Sequence, residues 1–303
     1  MKTILVLGPN GGIGKAVAQA FTAAGWQVLG LVRAGKAVGH GVTPITADLF
    51  DPAAVVAACG HVDIVFNGLN LPYPVWEQQA LPLYTAAADV AEALRARHVY
   101  PGSVYNFGSG MPSDLTPQTP FAPTAVKGRI RVAIEVLFAE RARAGRLQTV
   151  VLRSGDIFGA EARNSWMQQL VAKDLSKGRL SAPGGYDVMH AWAYLPDLAQ
   201  AVVKLAQVEA CLGDYEVFHF EGHNASLRQL AQVARETTGR NVKLSRFPRA
   251  LFYLLALFDP FMKATLEMLY LWDVPHGLKD DRLAAVIGPV PHTPLPDALK
   301  SIL

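Results

Sequence analysis

Gly8, Gly11 and Gly14 stand in the stretch Gly8-Pro9-Asn10-Gly11-Gly12-Ile13-Gly14, directly after the apolar run Ile4-Leu5-Val6-Leu7. Glycines spaced this way, between a strand-like run and a helix start, turn the chain sharply and let backbone N–H groups approach a diphosphate. They also let the helix pack close on the strand. The helix start adds unpaired N–H groups and the positive end of its dipole. The chemistry implied is dinucleotide binding, with Gly8, Asn10, Gly11, Gly12, Ile13 and Gly14 around the phosphates. After the next apolar run, Gln27–Val32, an acid would serve a ribose 2′-hydroxyl, but the chain reads Leu31-Val32-Arg33-Ala34. A guanidinium there suits a 2′-phosphate, through a charge-assisted fork and stacking on adenine. NADP(H) is therefore expected ahead of NAD; the plainer alternative is an exposed arginine at a strand end. Asp48 and Leu49 are expected at the adenine edge. Asn67, Gly68 and Leu69 are expected along the pyrophosphate and nicotinamide ribose.

His190, Trp192 and Tyr194 alternate, which on a strand puts them on one face. Beside a nicotinamide pocket His190 would bind or protonate a substrate, with Trp192 next to it. A hydrogen-bonded histidine packed beneath a lid is the alternative. Asn70-Leu71-Pro72-Tyr73-Pro74-Val75-Trp76 reads as a stiff aromatic loop on the ligand-binding side of a sheet, with Tyr73 and Trp76 at a substrate mouth. Other chemistries lack their residues. There is no His-Glu-x-x-His or paired-cysteine pattern for a metal, and no Gly-x-Ser-x-Gly elbow for a hydrolase.

The elements that must position these groups alternate through the first half. Strands are expected at Thr3–Leu7, Gln27–Val32, Val42–Ile45, Val62–Asn67, His98–Pro101 and Leu147–Leu152. Helices are expected at Gly12–Ala24, Pro52–Ala58, Val75–Arg97 with a bend at Pro82, and Ala125–Ala144. Strands separated by helices of this length imply right-handed crossovers and a doubly wound parallel α/β sheet of the Rossmann type. Later segments read as helices at Asn164–Lys177 and Pro196–Val208, and as strands at Tyr215–Phe220 and Asn241–Phe247. Ser226-Leu227-Arg228-Gln229 is a capping box opening a helix to Thr238. Residues 1–159, joined by about 190–222, form the expected dinucleotide unit; 160–189 and 223–303 form a smaller, mostly helical substrate lid.

A net charge of +3 is too small to argue for nucleic acid. The apolar stretch Ala250–Phe258 is far short of the roughly 20 residues that span a bilayer, so no stable membrane insertion is expected. Phe261–Trp272, with Lys263 and Glu267 one turn apart, reads as an amphipathic helix; core or lid packing is expected, with a dimer face or a membrane-surface contact as the alternatives. Cys59 and Cys211 have no metal or redox spacing, and the chain opens directly on a strand, so a reducing cytoplasm is expected.

These residues resemble the extended short-chain dehydrogenase/reductases, the NAD-dependent epimerase/dehydratase family, over nearly the whole chain. The glycine turn, Asp48-Leu49, Asn67-Gly68, Val151-Leu152-Arg153-Ser154-Gly155-Asp156-Ile157-Phe158-Gly159 and Tyr194-Leu195-Pro196-Asp197-Leu198-Ala199 carry the resemblance. So do Pro101-Gly102-Ser103-Val104-Tyr105-Asn106-Phe107-Gly108 and Lys127-Gly128-Arg129-Ile130-Arg131, which match a bacterial subgroup. The resemblance implies that Ser154 lies under the nicotinamide, that Ser103 holds a substrate oxygen, and that Asn106 lies by the substrate. It also implies subunit pairing through the Ala125–Ala144 helix. Family catalysis uses Tyr-x-x-x-Lys on that helix, yet none of the nine tyrosines has Lys four residues later. Alignment through Glu135 puts Lys127 in the tyrosine's place and Arg131 in the lysine's.

Three readings stay open. Lys127 could be the acid/base, its proton loosened by Arg131 and a partly dry pocket. It could grip only the cofactor or an anionic substrate while Tyr105, Ser103 or water supplies the proton. Or Lys127, Arg131 and Glu135 form a solvated stripe with an ordinary salt bridge. The expected reaction is NADP(H)-dependent hydride transfer to or from a carbonyl or alcohol of a small organic substrate. The alternatives are a sugar-nucleotide epimerase or dehydratase with recycled cofactor, and a non-catalytic NADP(H) sensor.

Overall fold

Burial along the first strand sets the architecture. In β1 (Thr3–Leu7) every residue is buried, and Ile4 and Val6 face one core while Leu5 and Leu7 face another. The computed structural model describes residues 1–303, apart from the side chain of Leu251. Chain order continues with α1 (Gly12–Ala23), β2 (Gln27–Val32), β3 (Val42–Thr46), α2 (Pro52–Cys59), β4 (Ile64–Asn67), α3 (Trp76–Leu94) and β5 (Arg97–Ser103). Then come β6 (Asp114–Leu115), α4 (Val126–Arg143), β7 (Thr149–Ser154), β8 (Asp156–Phe158), β9 (Arg179–Ala182), β10 (His190–Tyr194), α5 (Leu195–Gln207) and β11 (Tyr215–Phe220). The remainder is β12 (His223–Ala225), α6 (Leu227–Thr238), β13 (Lys243–Arg246), α7 (Arg249–Leu255), α8 (Pro260–Leu266), β14 (Gly277–Leu278), α9 (Asp281–Ile287) and α10 (Leu295–Lys300).

Seven strands form one parallel sheet in the order β11-β7-β5-β4-β1-β2-β3. The strand order reverses between β1 and β4, which opens a crevice at their carboxyl ends. One face carries Phe21 of α1 and Leu198 and Val202 of α5; the other carries Trp76 and Tyr84 of α3 and Phe138 of α4. This is a Rossmann-type α/β fold.

A third apolar cluster, including Phe158, Trp192, Leu230 and Trp272, gathers the later segments around two small sheets, β12-β10-β8 and β13-β9. Ser226 and Gln229 form the capping box reciprocally and open α6. Two expected helices differ. Asn164–Lys177 yields only the wide turn Met167–Val171 and the tight turn Leu175–Lys177. The Ala172 N–H reaches back to Met167 at 2.6 Å, so buried Met167 and Val171 face the lid core together, and left-handed Gly178 stops the run. Phe261–Trp272 breaks into α8 and a tight turn at Leu269–Trp272 because Leu269, Leu271 and Trp272 all turn inward.

Candidate active site

The glycine turn is built around backbone crowding. Gly8 has φ +76°, and a Cβ on Gly14 would lie 2.1 Å from the Gly8 carbonyl. Gly11 caps α1 without a side-chain hydrogen bond, and no acid occupies the first turn. The N–H groups there stay open to an anion, the arrangement a diphosphate requires. Gly68 lies against this turn, and its N–H donates to the Leu7 carbonyl at 2.9 Å. Asn10 donates to the Ala37 carbonyl at 2.9 Å, tying the turn to the loop that starts at exposed Arg33. Ile13 packs into the core and Leu49 into the opposite one, while Asp48 is exposed and accepts the Phe50 N–H. Leu69 receives the Tyr84 hydroxyl on its carbonyl. Asn67 is fully buried beside His98 at 3.2 Å and leaves its Oδ1 without a partner. The segment after β8 also reaches this turn: a Cβ on Gly12 would stand 2.5 Å from the Glu161 carbonyl, and Glu161 pairs with Lys15 at 2.9 Å.

α4 starts against the lid. Lys127 is buried, donates to the Ala264 carbonyl at 2.7 Å and pairs with Glu267. Glu267 also accepts the Val126 N–H at 2.6 Å, and the ammonium lies 4.6 Å from the centre of the Tyr73 ring. Arg131 turns elsewhere, donating to the Tyr100 hydroxyl among the rings of Trp76, Tyr84 and Tyr100. Glu135 is buried with Arg153, joined by hydrogen bonds of 2.6 and 3.2 Å. The solvated stripe is thereby excluded: Lys127 and Glu135 are enclosed and each has its own distant partner. Asn106, expected near substrate, is 0% exposed and donates to Glu135 at 2.8 Å. Trp192, also placed there, is 0% exposed and donates to the Ala225 carbonyl, so its indole belongs to the lid core. Trp76 is likewise buried, donating to Leu71.

The strand ends bring a different set together. Ser103 and Ser154 sit opposite each other where β5 and β7 stop. Tyr105, in the turn that follows, shares a 2.9 Å hydrogen bond with Tyr73. Burial, then the Tyr73 hydroxyl and the Asp156 carboxyl, push the Tyr105 phenol well above its ordinary value. Burial and Asp156 also raise Tyr73. His190 sets Nε2 2.8 Å from Asp156 and stacks on Trp272 at 4.5 Å. His276 meets the His190 ring edge-on at 4.5 Å, and burial, then His190, holds its pKa down to about 3.

Asp156, Tyr270, Glu267 and His276 are the groups that sequence reasoning missed. Asp156 was legible as the acid two residues beyond Ser154, but nothing local pointed the others inward. A separate recess of about 350 Å³, lined by His219, Glu221, Asp280, Asp281 and His292, lies beside β11 and α9, away from the glycine turn. Among the described residues no group of three or more His, Cys, Asp or Glu is placed to hold a metal.

Residues 4–218 match the model of the NAD dependent epimerase/dehydratase family. The dTDP-6-deoxy-L-talose 4-dehydrogenase (NAD(P)(+)) of Kitasatospora kifunensis is 25% identical over 260 residues, 81% of this chain and 82% of that protein. Among solved structures, UDP-glucose 4-epimerase from Bifidobacterium longum with NAD+ and UDP superposes with TM-score 0.77 at 15% identity, covering 100% of this chain and 97% of that one. MoeE5 in complex with UDP-glucose and NAD gives TM-score 0.76 at 19% identity, covering 99% and 96%.

Proposed function

The chain belongs to the NAD dependent epimerase/dehydratase family, and from that premise we propose that it moves hydride at a sugar-ring carbon of a nucleotide sugar, using a nicotinamide dinucleotide. The observation that carries the reading is the uncapped start of α1 beside the crowded turn of Gly8 and Gly14. Gly8, Gly11, Gly12, Ile13 and Gly14 would hold the diphosphate, Asp48 and Leu49 would serve the adenine side, and Asn67, Gly68, Leu69 and Ser154 the nicotinamide side. When bound, a nicotinamide dinucleotide would supply or take the hydride. The polar groups gathered beyond β5 and β7 (Ser103, Tyr105, Tyr73, Asp156 and His190) orient a hydroxyl or carbonyl and handle its proton. The names of the dehydrogenase relative and the two structural neighbours support a nucleotide sugar over a small organic compound. Incubating purified protein with dTDP- and UDP-hexoses plus NAD+ or NADP+ tests it by the absorbance of reduced nicotinamide and by product analysis. Turnover of simple ketones with no nucleotide-sugar binding would overturn it.

One observation favours that second reading. Phe261 of α8 stacks over Tyr73 with centroids 6.3 Å apart, giving the mouth an apolar rim suited to a smaller carbonyl compound. NADP(H) over NAD rests on Arg33, exposed at the end of β2. Subunit pairing rests on α3 and α4, which lie side by side and expose Leu81 and Val136. No helix among the described residues is long and apolar enough to cross a membrane. The unbridged Cys59 and Cys211 fit a reducing compartment.

A further inference from the structure

With no tyrosine at its usual place on α4, the proton that accompanies hydride transfer needs another carrier. Lys127 is withdrawn, since its ammonium is held by Glu267 and the Ala264 carbonyl. Tyr73 and Tyr105 share one hydrogen bond, and burial makes both phenols weaker acids. Asp156 and His190 differ in kind. Nε2 of His190 lies 2.8 Å from the Asp156 carboxyl, and Nδ1 lies 3.2 Å from the Leu271 carbonyl. Both partners accept. A neutral imidazole has a single N–H, so beside an ionised carboxylate one contact would set a lone pair against an oxygen. Both hydrogen bonds coexist only when the pair holds one more proton, on the ring or on the carboxyl.

The pair is also polarised in space. The Asp156 side chain is 11% exposed and that of His190 3%, so the carboxyl is the outward end. Asp156 stands two residues beyond Ser154, just past the carboxyl ends of β5 and β7, on the same edge of the sheet as the crevice. Its charge acts on the phenols of Tyr73, Tyr105 and Tyr270, helping to raise each of them. Tyr270 leaves its own hydroxyl buried without a partner.

We propose that Asp156 exchanges a proton with the substrate oxygen, and that His190 is the positioning residue that stores this proton behind it. The inference rests on the hydride-transfer reading above. In the reducing direction the carbonyl carbon accepts hydride from a reduced nicotinamide dinucleotide, and the C=O π pair moves to oxygen. That oxygen takes the proton of the Asp156–His190 pair, which regains one from water at the exposed carboxyl edge. In the oxidising direction the pair first releases its stored proton to water; the hydroxyl proton then passes to the Asp156 carboxylate as hydride leaves the carbon for an oxidised nicotinamide dinucleotide.

Nitrogen-15 NMR of the histidine-labelled full chain, without nucleotide or substrate, reads the pair directly; His190 is assigned by its loss in His190→Gln. The other titratable groups facing the pair are Tyr73 and Tyr105 from the segments after β4 and β5, and Tyr270 and His276 from the segment after α8, with Glu267 beyond Tyr270. The expected result at neutral pH is a protonated Nδ1 and an Nε2 signal that reports a proton shared with the Asp156 carboxyl. Asp156→Asn removes the shared proton and shifts the Nε2 signal at the same pH, while the unfolding temperature stays within about 3 °C of the parent and the NADPH dissociation constant within about twofold. A bare Nδ1 with Nε2–H at every pH overturns the proposal. With any nucleotide sugar or carbonyl compound the parent turns over, Asp156→Asn lowers kcat about a hundred- to ten-thousand-fold with little change in KM. His190→Gln lowers it less and moves one limb of the pH–rate profile. An unchanged kcat in Asp156→Asn also overturns the proposal. A chain that turns over none of these compounds fails the functional reading alone, and the NMR result still judges the pair.

Discussion

Lys127 and Glu267 are unequally enclosed, at 3% and 23% side-chain exposure, and that inequality has a measurable consequence. Glu267→Gln leaves a buried ammonium without its counter-charge and should destabilise the fold by about 3 kcal/mol. Lys127→Met leaves a carboxylate that still reaches water, so its loss should be clearly smaller. Urea unfolding of the two variants checks the order; equal losses would contradict it. Arg33 tests the cofactor side. A charge-assisted hydrogen bond contributes about 1.5–3 kcal/mol, so Arg33→Asp should weaken NADPH by tenfold or more while NADH changes little. Fluorescence titration with both nucleotides decides, and equal losses would remove the 2′-phosphate assignment. Neither side chain could be judged alike from sequence. Arg33 stands at a strand end that local pattern locates, whereas the partner of Lys127 lies on a helix of the lid.

α1 and the turn before it act as one element. A methyl group on Gly14 would need to occupy space 2.1 Å from the Gly8 carbonyl, which is backbone and cannot swing away. Gly14→Ala should therefore lower the unfolding temperature and abolish NADPH binding together. Arg129→Ala, on the exposed side of α4 with one hydrogen bond to the Thr124 carbonyl, should leave both within error. Calorimetry and titration on the same samples check this. The element was legible because strand, turn and helix start are set by neighbours within a few residues. The segment Asn164–Lys177 was not. Its apolar spacing suits a helix, but its backbone obeys the packing of Trp166, Met167, Val171 and Leu175 against the lid core.

Buried polar groups tie the molecule together. Glu135 on α4 holds Arg153 on β7 and Asn106 after β5, and Arg153 reaches His219 on β11 at 3.2 Å. Glu135→Gln should cost about 3–5 kcal/mol in denaturant unfolding, because Arg153 cannot reach water. Four histidines are held neutral in the fold: burial takes His98 and His276 down to about 3, and His219 and His223 down to about 4. Each binds its proton more tightly in the unfolded chain, so stability is full above the unfolded value of about 6.5 and falls as pH drops below it. For His98 and His276 the slope approaches about 1.4 kcal/mol per pH unit each. The urea midpoint should drop steeply between about pH 6.5 and about pH 5; a flat midpoint would show these rings are not enclosed.

Sequence alone determined the glycine turn, the parallel Rossmann sheet, the capping box and the absence of the usual phenol on α4. Each follows from backbone geometry and burial period within a short window. Tertiary structure decided which charged and polar side chains meet. Lys127 finds Glu267, Glu135 finds Arg153, and Asp156 finds His190 beyond the end of β7. A buried charge takes whatever partner the returning chain brings within reach, and that return is set by how whole layers pack.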